Sequence, residues 1–387
     1  MNSYKRYRIK TILVCVLLWF LISGFAYQAL GAEEPNQIVR IITEEGMPIV
    51  LELIANNIRE NYERIKTWSG EIDKRTTWVH TGSLAEDIFK NATDAKGETP
   101  EAILQKVEDR ITFAVDAKKN FVYVDTSQEN PRKYFNYKTG NDLGNSRSRP
   151  DYSTIIAKPD FLLKSEAYSF EKRTDRLLHK KAEKKPSERE QQTGWYKYKD
   201  VSDPRRVFFP GAEFTWDNLD WLIKRLNRTK KIEFDGYSFK IEERQKGDVI
   251  EYKIIKPSVV NLERSKPEHY AILTEVFSSQ CGFNMIYFEA ATGSGMVFQK
   301  YTWEYEFTNG VYLPKRVIVE LYDSKGKLTD EYDSTYENNK VNQKIPPGIF
   351  EYTNLKLMEG DVFVDEILKK QYRYKEATKT LEPIDKK

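Results

Sequence analysis

From Phe239 to Tyr374 apolar and polar positions alternate along segment after segment. In Val297–Phe307 one face carries Val297, Gln299, Tyr301, Trp303, Tyr305 and Phe307. The other carries Phe298, Lys300, Thr302, Glu304 and Glu306. A period of two is the pleat of a strand with one face on apolar material and the other in water. Tyr237–Glu243, Val249–Ile255, His269–Phe277, Phe283–Ala290, Val311–Tyr322 and Leu328–Glu337 extend the series. In the last of these Leu328, Asp330, Tyr332, Ser334 and Tyr336 share a face. Short turns such as Thr308–Gly310 and Asp323–Gly326 join them, so neighbours run antiparallel.

The N-terminal half mixes periods. Pro48–Lys66 repeats at helical spacing through Leu51, Ala55, Ile58, Tyr62 and Ile65, with Pro48 suited to a first turn. Trp68–Trp78 alternates as a strand. Residues 81–109 read as an insertion, with a short amphipathic helix through Ala102, Ile103 and Val107. Arg110–Thr126 is a hairpin in which Ile111, Phe113 and Val115 share a face, and Lys133–Tyr137 is another strand. Residues 141–200 read as a second insertion, with a short helix at Asp160–Leu163 and a charged, solvated run over His179–Glu190. Arg206–Pro210 is a short strand. Thr215 is the expected N-cap of a helix over Trp216–Leu226, whose stripe is Leu219, Leu222, Ile223 and Leu226. The order helix, strands, helix, meander defines an α+β chain. It predicts a strongly curved antiparallel sheet, an unclosed half-barrel, with helices packed on its concave side.

Charge enters through the N-terminus. Lys5, Arg6, Arg8 and Lys10 precede the uncharged run Ile12–Ala26, which is shorter than the ~20 residues a spanning helix needs. Residues 1–32 read as a signal peptide, cleaved after Gly31 or Ala32, and the rival reading is an uncleaved anchor. The expected location is periplasmic or secreted, with transient membrane contact. Residues 33–47 read as a polar leader, 48–376 as one domain and 377–387 as a polar tail. The chain carries a net charge of +3, and its first 32 residues hold those four bases and no acid, leaving 3 − 4 = −1 for the remainder. The basicity therefore belongs to targeting and gives no support to nucleic-acid binding. Outside the signal Cys281 is the single cysteine, so no internal disulfide is expected and the thiol reads as a small buried hydrophobe.

Candidate chemistry is sparse. The chain lacks HExxH, GxSxG, CxxC and a Gly-rich phosphate loop, and His80, His179 and His269 lie far apart. No metal, cofactor or catalytic residue is assigned. A hydrolase assembled from scattered carboxylates such as Asp330, Glu331, Asp361 and Asp365 stays open as a minor alternative.

Two stretches, Asn57 to Tyr62 and Ile65 to Glu71, resemble the opening of exported proteins of the outer-membrane lipoprotein carrier and sorting superfamily, the LolA/LolB-like proteins. Tyr305–Lys315, Tyr336–Asn342, Ile349–Phe350, Leu355–Leu357 and Gly360–Asp365 look like its large, divergent members of planctomycete-type genomes. The resemblance covers most of residues 48–376. It implies an unclosed barrel plugged by helices, with acyl chains of a lipoprotein held between sheet and plug. The compact carriers lack the excursions at 81–109 and 141–200.

The reading that follows is a non-enzymatic protein that binds a lipid, a lipoprotein acyl chain or another hydrophobic ligand. Trp68, Phe113, Tyr301, Trp303, Tyr305, Phe307 and Tyr332 are the expected cavity lining. The bland alternative is that these aromatics are ordinary core. A second alternative is a structural, sensor or interaction module of the envelope, with a protein partner and no small ligand.

Overall fold

Five strand pairs in succession slip register by one residue, at Val276/Phe277, Ala290/Ala291, Glu304/Tyr305, Leu321/Tyr322 and Glu337/Lys340. Each bulge bends its strand and adds twist, so a sheet bulged at five successive pairings curls. The computed structural model that shows this describes residues 38–384, except 129, 147–151, 159–160, 168–176, 183–204, 206–211, 230–232, 235–236, 260–269, 347, 356–358 and 366–369. The signal-peptide segment, His269, the Arg206–Pro210 strand and positions 183–190 of the charged run lie outside the described residues.

The sheet starts at Ile38–Ile41, which pairs with Lys240–Lys246. It continues antiparallel through Val249–Val259, Tyr270–Ser278, Asn284–Thr292, Val297–Thr308, Val311–Tyr322 and Leu328–Val341. There the N-terminal and C-terminal parts of the chain meet, because Leu328–Val341 pairs with Thr67–Thr81. Beyond lie Ala102–Asp116, Phe121–Ser127, Tyr152–Lys158, Phe161–Ala167 and Leu177–Ala182. Val362–Asp365 runs parallel to Leu177–Ala182, and Lys370–Lys375 and Thr380–Pro383 finish that edge. Among the described residues the two edges, Ile38–Ile41 and Thr380–Pro383, do not pair, and the sheet is open.

Among the described residues three α-helices pack on one face. Helix α1, Met47–Glu63, buries Met47, Val50, Leu51, Ile54, Ala55, Ile58 and Tyr62. Helix α2 is Gly82–Asn91, and α3 is Ala212–Thr229. The stripes of α1 and α3 share one core with Trp68, Ile72, Phe113, Trp303, Val317 and Tyr336. That sheet face is therefore the concave one. Helix α2 packs separately on Ile103, Tyr134 and Leu143.

One side chain fixes α1 on the sheet. Asn61 is buried, its Nδ2 donates to the Tyr312 carbonyl (3.0 Å), and its Oδ1 accepts from the Tyr312 N–H (2.7 Å). The amide thus serves both backbone groups of a strand residue as a neighbouring strand would. At the helix C-terminus the Arg205 guanidinium donates to the carbonyls of Tyr62 (2.6 Å) and Ile65 (2.8 Å) and lies over the Tyr62 ring. The Tyr62 carbonyl also accepts from the Ile65 N–H (3.1 Å), and a cation is well placed at a helix C-terminus.

Several expectations fail for identifiable reasons. Residues 102–107 form a strand, not a helix: Ile103, Gln105 and Val107 are buried in alternation, and Ile103 and Val107 alone fit both periods. The whole of Ala102–Asp116 pairs with Thr67–Thr81, so this part of 81–109 is central sheet. Of the helix expected at Asp160–Leu163, the described residues Phe161–Leu163 lie in the strand Phe161–Ala167, and His179–Ala182 of the charged run lies in Leu177–Ala182, which pairs on both sides. Ile38–Ile41 within the polar leader and Thr380–Pro383 within the polar tail are strands. Thr215 lies inside α3, which begins three residues earlier at Ala212, so it is not the cap.

Asn61→Ala removes the side-chain partner of both the N–H and the C=O of Tyr312. A loss of ~2 kcal/mol is expected, the usual cost of orphaning such groups. Urea unfolding would read it as a lower midpoint with an unchanged slope.

Candidate functional site

Directly opposed residues on neighbouring strands share a face. On the concave face one such row runs Glu275, Phe288, Tyr301, Val319, Tyr332 and Thr76. It crosses six strands at ~4.8 Å each, so about 24 Å end to end. Phe288, Tyr301, Val319 and Tyr332 are half-buried, whereas Thr76 is 1% exposed. The middle is aromatic: Tyr301 meets Phe288 edge-on at 5.6 Å and stacks on Trp303 at 5.4 Å, and Tyr332 meets Trp78 edge-on at 6.4 Å.

The ends are polar. Glu275 is buried and pairs with Lys256 at 2.7 Å, with side-chain exposures of 6% and 12%. Lys256 follows Ile254 by two residues, and Ile254 faces Glu275 across the ladder, so the pair sits on the core side. At the other end Thr76 Oγ1 is buried with no hydrogen-bond partner. The Lys74 ammonium lies 5.3 Å from the Tyr332 ring centroid on the same side. Such an arrangement offers an apolar floor between two polar points.

The seven aromatics singled out from sequence separate into three environments. Trp68 and Phe113 are 0% and 1% exposed and meet edge-on at 4.9 Å; the Trp68 indole N–H donates to Asn339 Oδ1 (2.8 Å). Trp303 is 4% exposed in the same core, with Tyr301 and Tyr305 packed against it. The Tyr305 hydroxyl donates to the Met285 carbonyl (3.0 Å), and burial raises its pKa. Phe307 is 64% exposed at the strand end, where its ring touches Tyr312. Tyr332 stands apart beside Trp78 and Lys74.

Sequence reasoning passed over Phe288, Thr76 and the Lys256–Glu275 pair. Phe288 was legible as a strand aromatic. The pair was not, because a lysine and a glutamate in separate strands carry no sign of facing each other.

A second concavity is polar. Asp73, Lys74, Arg75, Glu108, Asp109, Arg110 and Asn130 line a cavity of about 220 Å³. It sits where the neighbour of Ala102–Asp116 changes from Phe121–Ser127 to Lys133–Asn136. The volume is below the ~300 Å³ at which drug-sized ligand sites begin. Of the described carboxylates, Glu71, Asp323, Asp333 and Glu359 titrate below the usual range. Arg110 and Arg316 hold the first and third, and backbone N–H groups the other two. A general acid needs the opposite shift. No group of three or more His, Cys, Asp and Glu among the described residues is arranged to hold a metal, and no described helix is long and apolar enough to cross a membrane.

Cys281 is buried, its thiol donates to the carbonyls of Ser278 and Asn284, and burial pushes its pKa up to about 12. The thiolate is the reactive form. A thiol reagent at neutral pH is therefore expected to leave Cys281 unmodified in the native protein and to label it after unfolding in denaturant, as peptide mapping by mass would read.

No protein-family model matches the chain, and no curated protein does. Solved structures similar to it include a LolA superfamily protein from Nitrosomonas europaea, at 14% identity and a TM-score of 0.30, covering 78% of this chain and 98% of that one. A protein domain assigned to outer membrane lipoprotein sorting, from Vibrio parahaemolyticus, is similar at 8% identity and a TM-score of 0.30, with coverages of 78% and 98%. A DUF1329 family protein from Desulfovibrio piger is similar at 8% identity and a TM-score of 0.30, with coverages of 80% and 98%.

Proposed function

We propose that this chain is an exported, non-enzymatic binder of a hydrophobic ligand with a polar end, such as a lipid or the acyl chains of a lipoprotein. The ligand lies on the concave face along the row from Glu275 to Thr76. The observation that carries this reading is the row itself: four half-buried apolar and aromatic side chains in register, flanked by a buried ion pair and a buried, unpartnered hydroxyl.

An apolar tail on Phe288, Tyr301, Val319 and Tyr332 gains ~25 cal/mol per Å² removed from water, or ~0.8 kcal/mol per CH₂. Tyrosine hydroxyls supply adaptable contacts for an ester or headgroup. Trp303, Tyr305, Trp68 and Phe113 support the floor from the core side. Aromatic packing and position do the recognition here, and no reacting group is required. The apolar run Ile12–Ala26 after four bases supports export, and with it a periplasmic or secreted location.

Native mass spectrometry with organic extraction, on protein recovered from an export host, tests this directly. A stoichiometric acyl species is expected. A clean apo mass, with no uptake of an added fluorescent fatty acid, would overturn the carrier reading in favour of an envelope interaction module. Tyr332→Ala is expected to weaken fatty-acid affinity about tenfold, from ~60 Å² of lost apolar contact. Its melting temperature should stay close to that of the parent, since Tyr332 lies outside the main core. Unchanged affinity would remove Tyr332 from the lining.

A further inference from the structure

Helix α3 has two unlike faces. Leu219, Leu222, Ile223 and Leu226 are buried in the core. On the outer face Trp221, Lys224, Arg225 and Arg228 follow i, i+3, i+4, i+7 spacing and form one stripe. Trp221 is 53% exposed, Lys224 and Arg228 are exposed, and the Arg225 guanidinium lies 5.1 Å from the Trp221 ring centroid.

Acids are absent from Trp221 to Arg228, and Lys230 and Lys231 follow in the sequence. The acid just before the stripe in the sequence, Asp220, is held by Arg59 at 3.0 Å. The chain beyond its first 32 residues is close to neutral, so this cluster of cations is a local feature and not a reflection of overall charge.

We propose that the Trp221–Arg228 stripe is a docking surface for an anionic lipid bilayer. Charge complementarity identifies the occupant. Lipid phosphates offer a plane of negative charge to Lys224, Arg225 and Arg228. An exposed tryptophan beside them has an apolar body and a polar N–H suited to headgroup depth. Each cation near such a surface strengthens binding roughly fivefold, so three give on the order of a hundredfold. The buried stripe keeps α3 on its core, which leaves the outer stripe to meet the membrane without unfolding. This surface is separate from the concave row and does not depend on what the row holds.

The test is vesicle co-sedimentation with protein recovered from an export host, comparing parent and variants that share the same N-terminus. Vesicles of phosphatidylglycerol with phosphatidylethanolamine are set against phosphatidylcholine. The parent is expected to bind the anionic vesicles and to be released as salt rises. The Lys224→Gln/Arg225→Gln/Arg228→Gln variant should lose on the order of a hundredfold in partitioning, and Trp221→Ala should lose part of the binding to anionic vesicles. Far-UV circular dichroism should be unchanged in both, because the side chains point away from the core. Equal binding to both vesicle types, no binding to either, or a triple variant as sticky as the parent would overturn the proposal. Should the triple variant unfold, Lys224→Gln/Arg228→Gln alone, at two exposed positions, must still lose about 25-fold.

Discussion

The antiparallel seam between Thr67–Thr81 and Leu328–Val341 holds the rest of the structure in place. It joins residues about as far apart in the chain as Trp68 and Val341. Without it the C-terminal meander and the N-terminal hairpins would be separate sheets, and α1 would have half a floor. Two features make the seam specific. The Trp68 indole donates across it to Asn339, whose own amide donates to Glu306 (2.8 Å). Gly70 leaves room for this, since a Cβ there would come within 2.9 Å of Asn339 Oδ1 and 3.0 Å of the Glu337 carbonyl. Such long-range closure costs loop entropy before its contacts form, which places this sheet among the slow-folding topologies.

Curvature and the apolar row come from the same source. Bulges fall at five successive pairings from Tyr270–Ser278 to Thr67–Thr81, and the bend gathers inward-facing side chains around α1 and α3. The outer face of the same strands carries matched charges instead. Arg316 makes two hydrogen bonds to Asp333, at 2.9 and 2.8 Å, and Lys300 pairs with Glu320 at 2.7 Å. Exposed pairs of this kind add little stability. Their effect is to keep that face wet and fix which side turns inward.

Much of this was legible in the sequence. The alternation in Val297–Phe307 and Leu328–Glu337 gave both the strands and the inward faces, and the stripe of α1 gave its contact surface. The region around 150–182 was not legible, for a physical reason. Ile155 belongs to the main core, while Ile156 packs with Ala114, Tyr123, Phe350 and Leu355 on the other side. A strand covered on both faces loses its alternation. The row of candidate contacts was half legible: Tyr301 and Tyr332 stand out in their strands, but their alignment with Glu275 and Thr76 depends on five register relations that no single segment encodes.

The ends of that row are where the fold departs from its own economy. A buried ion pair is weak support for stability, because desolvating two charges offsets much of their attraction. A buried hydroxyl without a partner costs a further 1–3 kcal/mol or so. Other polar side chains in this core, such as Asn61 and Tyr305, are hydrogen-bonded. Costly polar groups at both ends of an otherwise greasy row break the local rules of core construction, and such breaks tend to collect at functional sites. An amphiphile lying along the row, as proposed, would give Thr76 a partner and the ion pair a polar neighbour.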